Sequence, residues 1–199
     1  MRRLGLTGSI ATGKSTALAE FKAQGIPVFS ADAAVHALYA GAARRPIEAL
    51  FPGMVRDGEV DRAALAHKVL GQPQNLAALE RLVHPMVRSE IGDFLNRADA
   101  SGADLAVVDI PLLFESGHDW GFDAVIVTIC TPEIQRQRAL ARPGMTPDKL
   151  DAILARQMPQ GEKLARADHV VDTSGSFDET RAAVNAIIAQ ERAKAQARP

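Results

Sequence analysis

Eight residues near the N-terminus carry the most specific chemistry in the chain. Gly8-Ser9-Ile10-Ala11-Thr12-Gly13-Lys14-Ser15 fits G-x-x-x-x-G-K-[ST] at every fixed position. Such a loop wraps a polyphosphate with its backbone N–H groups, and Gly8 and Gly13 allow conformations and close approaches that a side chain would impede. Lys14 sets a cation on the β and γ phosphates, and the Ser15 hydroxyl can ligate Mg²⁺. A helix opening at Lys14 adds the partial positive charge of its N-terminus. Gly8 through Thr16 are therefore the expected ATP contacts. A glycine-rich turn with a solvated lysine would match the same pattern, but here an apolar run precedes it and a helical pattern follows.

Two carboxylates fall where the ends of strands are expected, the edge at which parallel sheets gather ligands. Asp32 follows the run of residues 26–30 and is the candidate base for an acceptor hydroxyl. Asp109 ends Leu105–Asp109, placing it with Ser15 as a candidate Mg²⁺ ligand, directly or through water. Either aspartate could instead cap a helix or sit in a solvated turn, but two strand-end aspartates facing a phosphate loop favour the functional reading. Arg136, Arg138, Arg142 and Arg156 populate a later helical stretch and could be a solvated face. An arginine-bearing lid would instead exclude water and stabilise charge developing on the γ-phosphate. Arg142, beside the Pro143-Gly144 break, is the first choice for that role, with Arg138 second.

The elements that must position these groups alternate. Residues 4–7, 26–30, 105–109, 124–130 and 169–172 read as short buried strands. Residues 14–24 read as a helix stopped by Gly25, and residues 177 to about 194 as a closing amphipathic helix, with 193–199 expected to fray. Alternation of this kind implies βαβ crossovers and a parallel sheet with helices on both faces. Two intervals exceed a simple crossover. Residues 32–103 are rich in Ala, Leu and charge at helical spacing, broken at Pro46, Phe51-Pro52-Gly53 and Pro73. Residues 132–167 resemble a helical hairpin hinged at Arg142-Pro143-Gly144.

The expected fold is an α/β P-loop kinase with a five-stranded parallel sheet flanked by helices. Its single domain comprises a core (1–32, 104–131, 168–199), a helical acceptor-binding insertion (33–103) and a helical lid (132–167).

Bulk composition narrows the classes. The chain has 199 residues, 47% of them hydrophobic and 24% charged, enough for one full core. A net charge of −1 argues against a protein that coats nucleic acid. Cys130 is the only cysteine, so no intramolecular disulfide forms, and its apolar surroundings suggest a buried strand residue. Neither a secretory signal nor a membrane-spanning window is visible, and the expected location is the cytoplasm, with no membrane partner.

An ordered set of motifs along nearly the whole chain resembles the dephospho-CoA kinase family. Gly5 through Ser15 looks like its opening, and Ser30-Ala31-Asp32 with His36 looks like its D-A-D-x-x-x-H segment. His84-Pro85-x-Val87-Arg88 is similar to its H-P-x-V-R motif, and Asp109-Ile110-Pro111-Leu112-Leu113-Phe114-Glu115 to its most distinctive string. Gln157, Lys163, Ala167-Asp168 and Asp172-Thr173-Ser174-Gly175 follow its C-terminal pattern. Ser9 and Ala11 replace glycines common in the family loop, Ser30 replaces the first Asp of D-A-D, and Thr173 stands where Asn is frequent, near the expected adenine side.

The resemblance implies transfer from ATP, with Mg²⁺, to the ribose 3′-hydroxyl of dephospho-CoA, giving ADP and coenzyme A. It implies Lys14, Asp32 and Arg142 as catalytic groups. Arg88 would clamp an acceptor phosphate, His84 and Pro85 would shape that pocket, and Leu112 and Phe114 would wall it with apolar surface. His36 and His84 are open between substrate contact and structure in this reading, and the loop alone also suits another small-molecule P-loop kinase for a nucleoside or nucleotide. A regulatory GTP switch lacks its N-K-x-D signature here, and a non-catalytic ATP-binding module would leave Asp32 without a role.

Overall fold

The computed structural model describes residues 1–197. Five strands form the main sheet: β1 (Arg2–Gly8), β2 (Val28–Ser30), β5 (Leu105–Asp109), β6 (Ala124–Ile129) and β7 (His169–Asp172), in the spatial order β2-β5-β1-β6-β7. β1 runs parallel to β5 and to β6, and β6 parallel to β7. β5 is buried at all five positions, which accounts for the four apolar residues that precede Asp109. The chain leaves β1 toward one side of the sheet, by way of α1 (Lys14–Ala23) to β2, and later fills the other side with β6 and β7. The loop after β1 therefore lies at the topological switch point, where such sheets open a crevice.

Leu4, Leu6, Leu105, Val107 and Ile126 of the sheet pack with Ala17 and Phe21 of α1 and with Val184, Ile187 and Ile188 of α9 (Phe177–Gln196). A capping box of Ser176 and Glu179 starts α9, which continues past the expected stop near Lys194; Arg198 and Pro199 lie outside the described residues.

The chain divides into two compact units, one of Met1–Phe29 with the chain from Leu95 onward, the other Ser30–Phe94. The second unit is largely helical, as expected: α2 (Ala31–Ala40), α3 (Arg44–Leu50), α4 (Arg62–Val69) and most of α5 (Pro73–Ala100). Two details differ from expectation. A hairpin of β3 (Val55–Arg56) and β4 (Glu59–Val60) interrupts the helices, turning at Asp57 and Gly58 with φ of 50° and 82°. Pro46 does not break a helix but sits in the first turn of α3, where its missing N–H costs little. The break at Pro73 is where expected: Pro73 starts α5, which runs 28 residues through Pro85 because Leu79, Val83, Val87, Ile91, Leu95 and Ala98 bury one continuous stripe.

Residues 132–167 form three helices where two were expected: α6 (Pro132–Leu140), α7 (Pro147–Leu154) and the short α8 (Gln160–Leu164). Thr131 and Thr146 cap α6 and α7, each accepting a backbone N–H. The break at Arg142-Pro143-Gly144 is where expected, with Gly144 at φ 71°. No described helix is long and apolar enough to cross a membrane.

Candidate active site

The phosphate loop is held from beneath by threonines. Thr12 Oγ1 lies 2.9 Å from Thr128 Oγ1 and donates to Ser9 O at 2.8 Å. A Cβ on Gly8 would run into both of those hydroxyls, so only glycine fits there. Gly13 has φ 78°, and a Cβ on it would sit 2.6 Å from Thr173 Oγ1. Both fixed glycines are thus required by close approach, and Gly13 by its left-handed backbone as well. Thr173 Oγ1 lies 3.1 Å from Thr12 O and accepts from Arg138 Nη1 at 2.9 Å, while Arg138 Nη2 donates to Thr173 O at 2.8 Å.

Ala11 takes φ 62°, a conformation costing a non-glycine residue roughly 1–2 kcal/mol. Packing offsets that cost. Ala11 and Ile10 lie against Ala139, Leu140, Met145, Leu150 and Leu154, so the base of the α6–α7 hairpin is seated on the loop. Both backbone polar groups of Ile10 are held: its N–H donates to Gln157 Oε1 at 2.9 Å, and its carbonyl accepts from Gln135 Nε2 at 2.8 Å.

Gly13 N-caps α1 without any side-chain cap, and no acid lies in the first turn of α1. Its exposed first turn, with Ser15 at the surface and Thr16 half-buried, is therefore open to an anion. Lys14 Nζ pairs with Asp109 Oδ1; the two side chains are 17% and 7% exposed. The carboxylate at the end of β5 thus faces the loop cation, with the Thr7 hydroxyl donating to Pro111 O at 3.1 Å just beyond it.

No group of three or more His, Cys, Asp or Glu poised for a metal occurs among the described residues. A hydroxyl and one carboxylate completed by phosphate oxygens and water is the sparse protein donor set that Mg²⁺ takes. Ser15 and Asp109 fit it.

After Asp109, Leu113 is buried against Gly5, Leu112 is 47% exposed, and Phe114 is half-buried with the Arg166 guanidinium 5.8 Å above its ring. Glu115 Oε1 accepts from Met158 N–H at 2.8 Å and lies 2.8 Å from Nζ of the fully buried Lys163. Burial pushes the Glu115 carboxyl up, but the Lys163 ammonium and the Met158 N–H outweigh it and hold the group below the usual carboxylate range. Arg142 is exposed on the α6–α7 turn. Cys130 is buried just past β6 and burial raises its thiol pKa, which keeps it a neutral packing residue.

In the second unit, Ser30 caps α2, accepting from Ala33 N–H. Asp32 therefore stands exposed in the first turn of a helix; it neither caps that helix nor sits on the strand. His36 Nδ1 lies 3.3 Å from Arg62 Nη1. His84 and Arg88, four residues apart on α5, are both exposed on one face, with Pro85 between them.

The sequence assigns no role to Thr128 or Gln135, and marks Glu115, Gln157 and Lys163 only as motif residues without a stated role. A threonine inside the otherwise apolar run of residues 124–130 was the visible signal for the first.

A phosphate loop at the switch point of a five-stranded parallel sheet, with its lysine facing a strand-end carboxylate, defines a P-loop kinase. The sequence profile of the dephospho-CoA kinase family matches residues 2–179. The chain is 56% identical over 185 residues to the dephospho-CoA kinase of Rhodopseudomonas palustris, covering 93% of each. A solved Thermus thermophilus structure superposes with a TM-score of 0.83 at 35% identity, covering 95% of this chain and 97% of that one. Dephospho-CoA kinase from Campylobacter jejuni gives 0.66 at 25% identity, covering 96% and 97%. The chain belongs to the dephospho-CoA kinase family.

Proposed function

We propose that this protein moves the γ-phosphoryl group of ATP to the ribose 3′-hydroxyl of dephospho-CoA, giving ADP and coenzyme A. The observation that carries the reading is the phosphate loop with Lys14 facing Asp109, in a chain of this family. Backbone N–H groups of residues 8–16 cradle the polyphosphate. With ATP bound, Lys14 would turn to phosphate oxygens, and the Ser15 hydroxyl with the Asp109 carboxylate would be the protein groups that hold Mg²⁺. When bound, that ion neutralises charge on the β and γ phosphates.

Asp32 orients the acceptor hydroxyl and takes its proton, worth about 10²–10⁴ in rate. Arg142 reaches the γ-phosphate from the α6–α7 turn, and Arg138, held on Thr173, lines the ATP side. Arg88 clamps an acceptor phosphate with its planar fork, helped by His84 and Pro85, while Leu112 and Phe114 supply apolar wall. Residues 33–103 then serve as the acceptor-binding part and residues 132–167 as the lid. The protein acts in the cytoplasm, without nucleic-acid or membrane partners.

The test is acceptor choice in a coupled ADP assay. Dephospho-CoA should exceed nucleoside monophosphates, adenosine and shikimate by at least about tenfold in kcat/KM, a difference of about 1.4 kcal/mol in transition-state binding. Preference for a nucleoside monophosphate would overturn the reading.

A further inference from the structure

Gln157, Glu115 and Lys163 take no part in the phosphate or acceptor contacts above, yet Gln157 bonds the phosphate loop and the other two hold its neighbour Met158. Gln157 lies in the turn between α7 and α8, and its Oε1 accepts the Ile10 N–H at 2.9 Å. The next residue, Ala11, is in the left-handed region that a non-glycine residue avoids, so the loop does not keep this shape by local preference. The Ile10 N–H belongs to the Ser9–Ile10 peptide, so Gln157 fixes that plane while Gln135 fixes the Ile10–Ala11 plane, and together they limit how the strained residue can relax.

What fixes Gln157 is its neighbour. The Met158 N–H donates to Glu115 Oε1, and the Lys163 ammonium, fully buried, lies 2.8 Å from the same oxygen. A surface tether would not require a buried ammonium, whose desolvation is unfavourable. Glu115 Oε2 and Gln160 Oε1 are also buried without a hydrogen-bond partner among the described residues. Such a cluster is poorly suited to maximal stability and well suited to holding one geometry.

We infer that Gln157 is a positioning residue of the phosphate loop, anchored by the buried Glu115–Lys163 pair. The pair connects the segment following Asp109 to the loop that binds ATP. The inference rests on the reading that this loop binds ATP. Gln157 touches no phosphate in this account; it acts through the Ser9–Ile10 peptide.

The test is a double-mutant cycle of Gln157→Met and Glu115→Gln, with KM measured for each substrate and melting temperature recorded. Losing one hydrogen bond of ordinary net strength corresponds to about a five- to tenfold change. Gln157→Met should raise KM for ATP by about that factor and leave KM for dephospho-CoA within about twofold. The double variant should raise KM for ATP no further than the worse single one, because both act through one peptide. Multiplying effects, an equal rise in both KM values, or a fall in melting temperature with KM for ATP unchanged would each overturn the inference. Calorimetric titration of the wild type with a non-hydrolysable ATP analogue separates the two levels: no binding there removes the ATP reading itself, whereas binding unaltered by Gln157→Met removes only the positioning role.

Discussion

Glu191→Gln should lower stability strongly at pH 7, weakly at pH 3, and leave turnover alone. Glu191 is fully buried in α9, where Oε2 accepts from Arg2 Nε at 2.5 Å and Oε1 lies 2.8 Å from His169 Nε2 and 2.7 Å from Lys194 Nζ. Asp123 is the other carboxylate nearby, 3.8 Å from Arg2 Nη1. Burial alone would raise the Glu191 pKa, yet the three donors and the Arg2 charge hold it down at about 2 against an ordinary 4.5. At about 1.4 kcal/mol per tenfold, that drop is worth roughly 3 kcal/mol, and screening at the half-exposed Lys194 trims it to about 2–3 kcal/mol.

A group with a depressed native pKa stabilises above its unfolded value and loses that contribution as pH falls through the native one. The contribution is therefore full at pH 7, begins to fall below 4.5, and is roughly half or less at pH 3. For a chain of this size the variant should melt about 5–10 °C below wild type at pH 7. Calorimetry at the two pH values is the assay. An equal gap at both, or a gap under about 1 °C at pH 7, would refute the reasoning. Arg2 and His169 open β1 and β7, at the ends of those strands opposite the phosphate loop, so kcat at 25 °C should stay near wild type.

Lys14→Ala should cut kcat/KM by about 10²–10³ with circular dichroism unchanged; activity within a few-fold of wild type would remove the loop from the chemistry. Asp32→Asn should lower the single-turnover rate by about 10², the low end for a general base because a loose transition state needs little nucleophile activation, with ATP affinity and melting temperature unchanged. A near-wild-type rate would leave Asp32 as a surface residue of α2. Hydrogen exchange with a non-hydrolysable ATP analogue should protect residues 141–146 more than the hairpin base, because Ala139 and Leu150 are already packed on the loop. Equal exchange with and without the analogue would make the hairpin a fixed connection.

Local rules were legible where one segment decides its own structure. Leu105–Asp109 and His169–Asp172 were bounded correctly because apolar runs end at Asp, and the phosphate loop declared itself through two glycines at fixed spacing. The β3–β4 hairpin carried an Asp57-Gly58 turn signal that the surrounding helical composition masked, and strands of two residues give no periodicity. Pro85 reads as a helix breaker in isolation, but the buried stripe of α5 outweighs its missing hydrogen bond. Side-chain networks were the least visible. Ile10 and Gln157 are 147 residues apart and Arg2 and Glu191 are 189 apart, and nothing in spacing pairs them. The left-handed φ of Ala11 was hidden for a related reason: packing against α6 and α7 tolerates a residue that the loop alone would reject.

The most direct test of the central proposal is the structure of the product. The protein incubated with ATP, Mg²⁺ and dephospho-CoA should yield equal amounts of ADP and coenzyme A, with ³¹P NMR placing the new phosphate on the ribose 3′-hydroxyl. Release of inorganic phosphate without coenzyme A, or a phosphate on any other hydroxyl, would contradict the account.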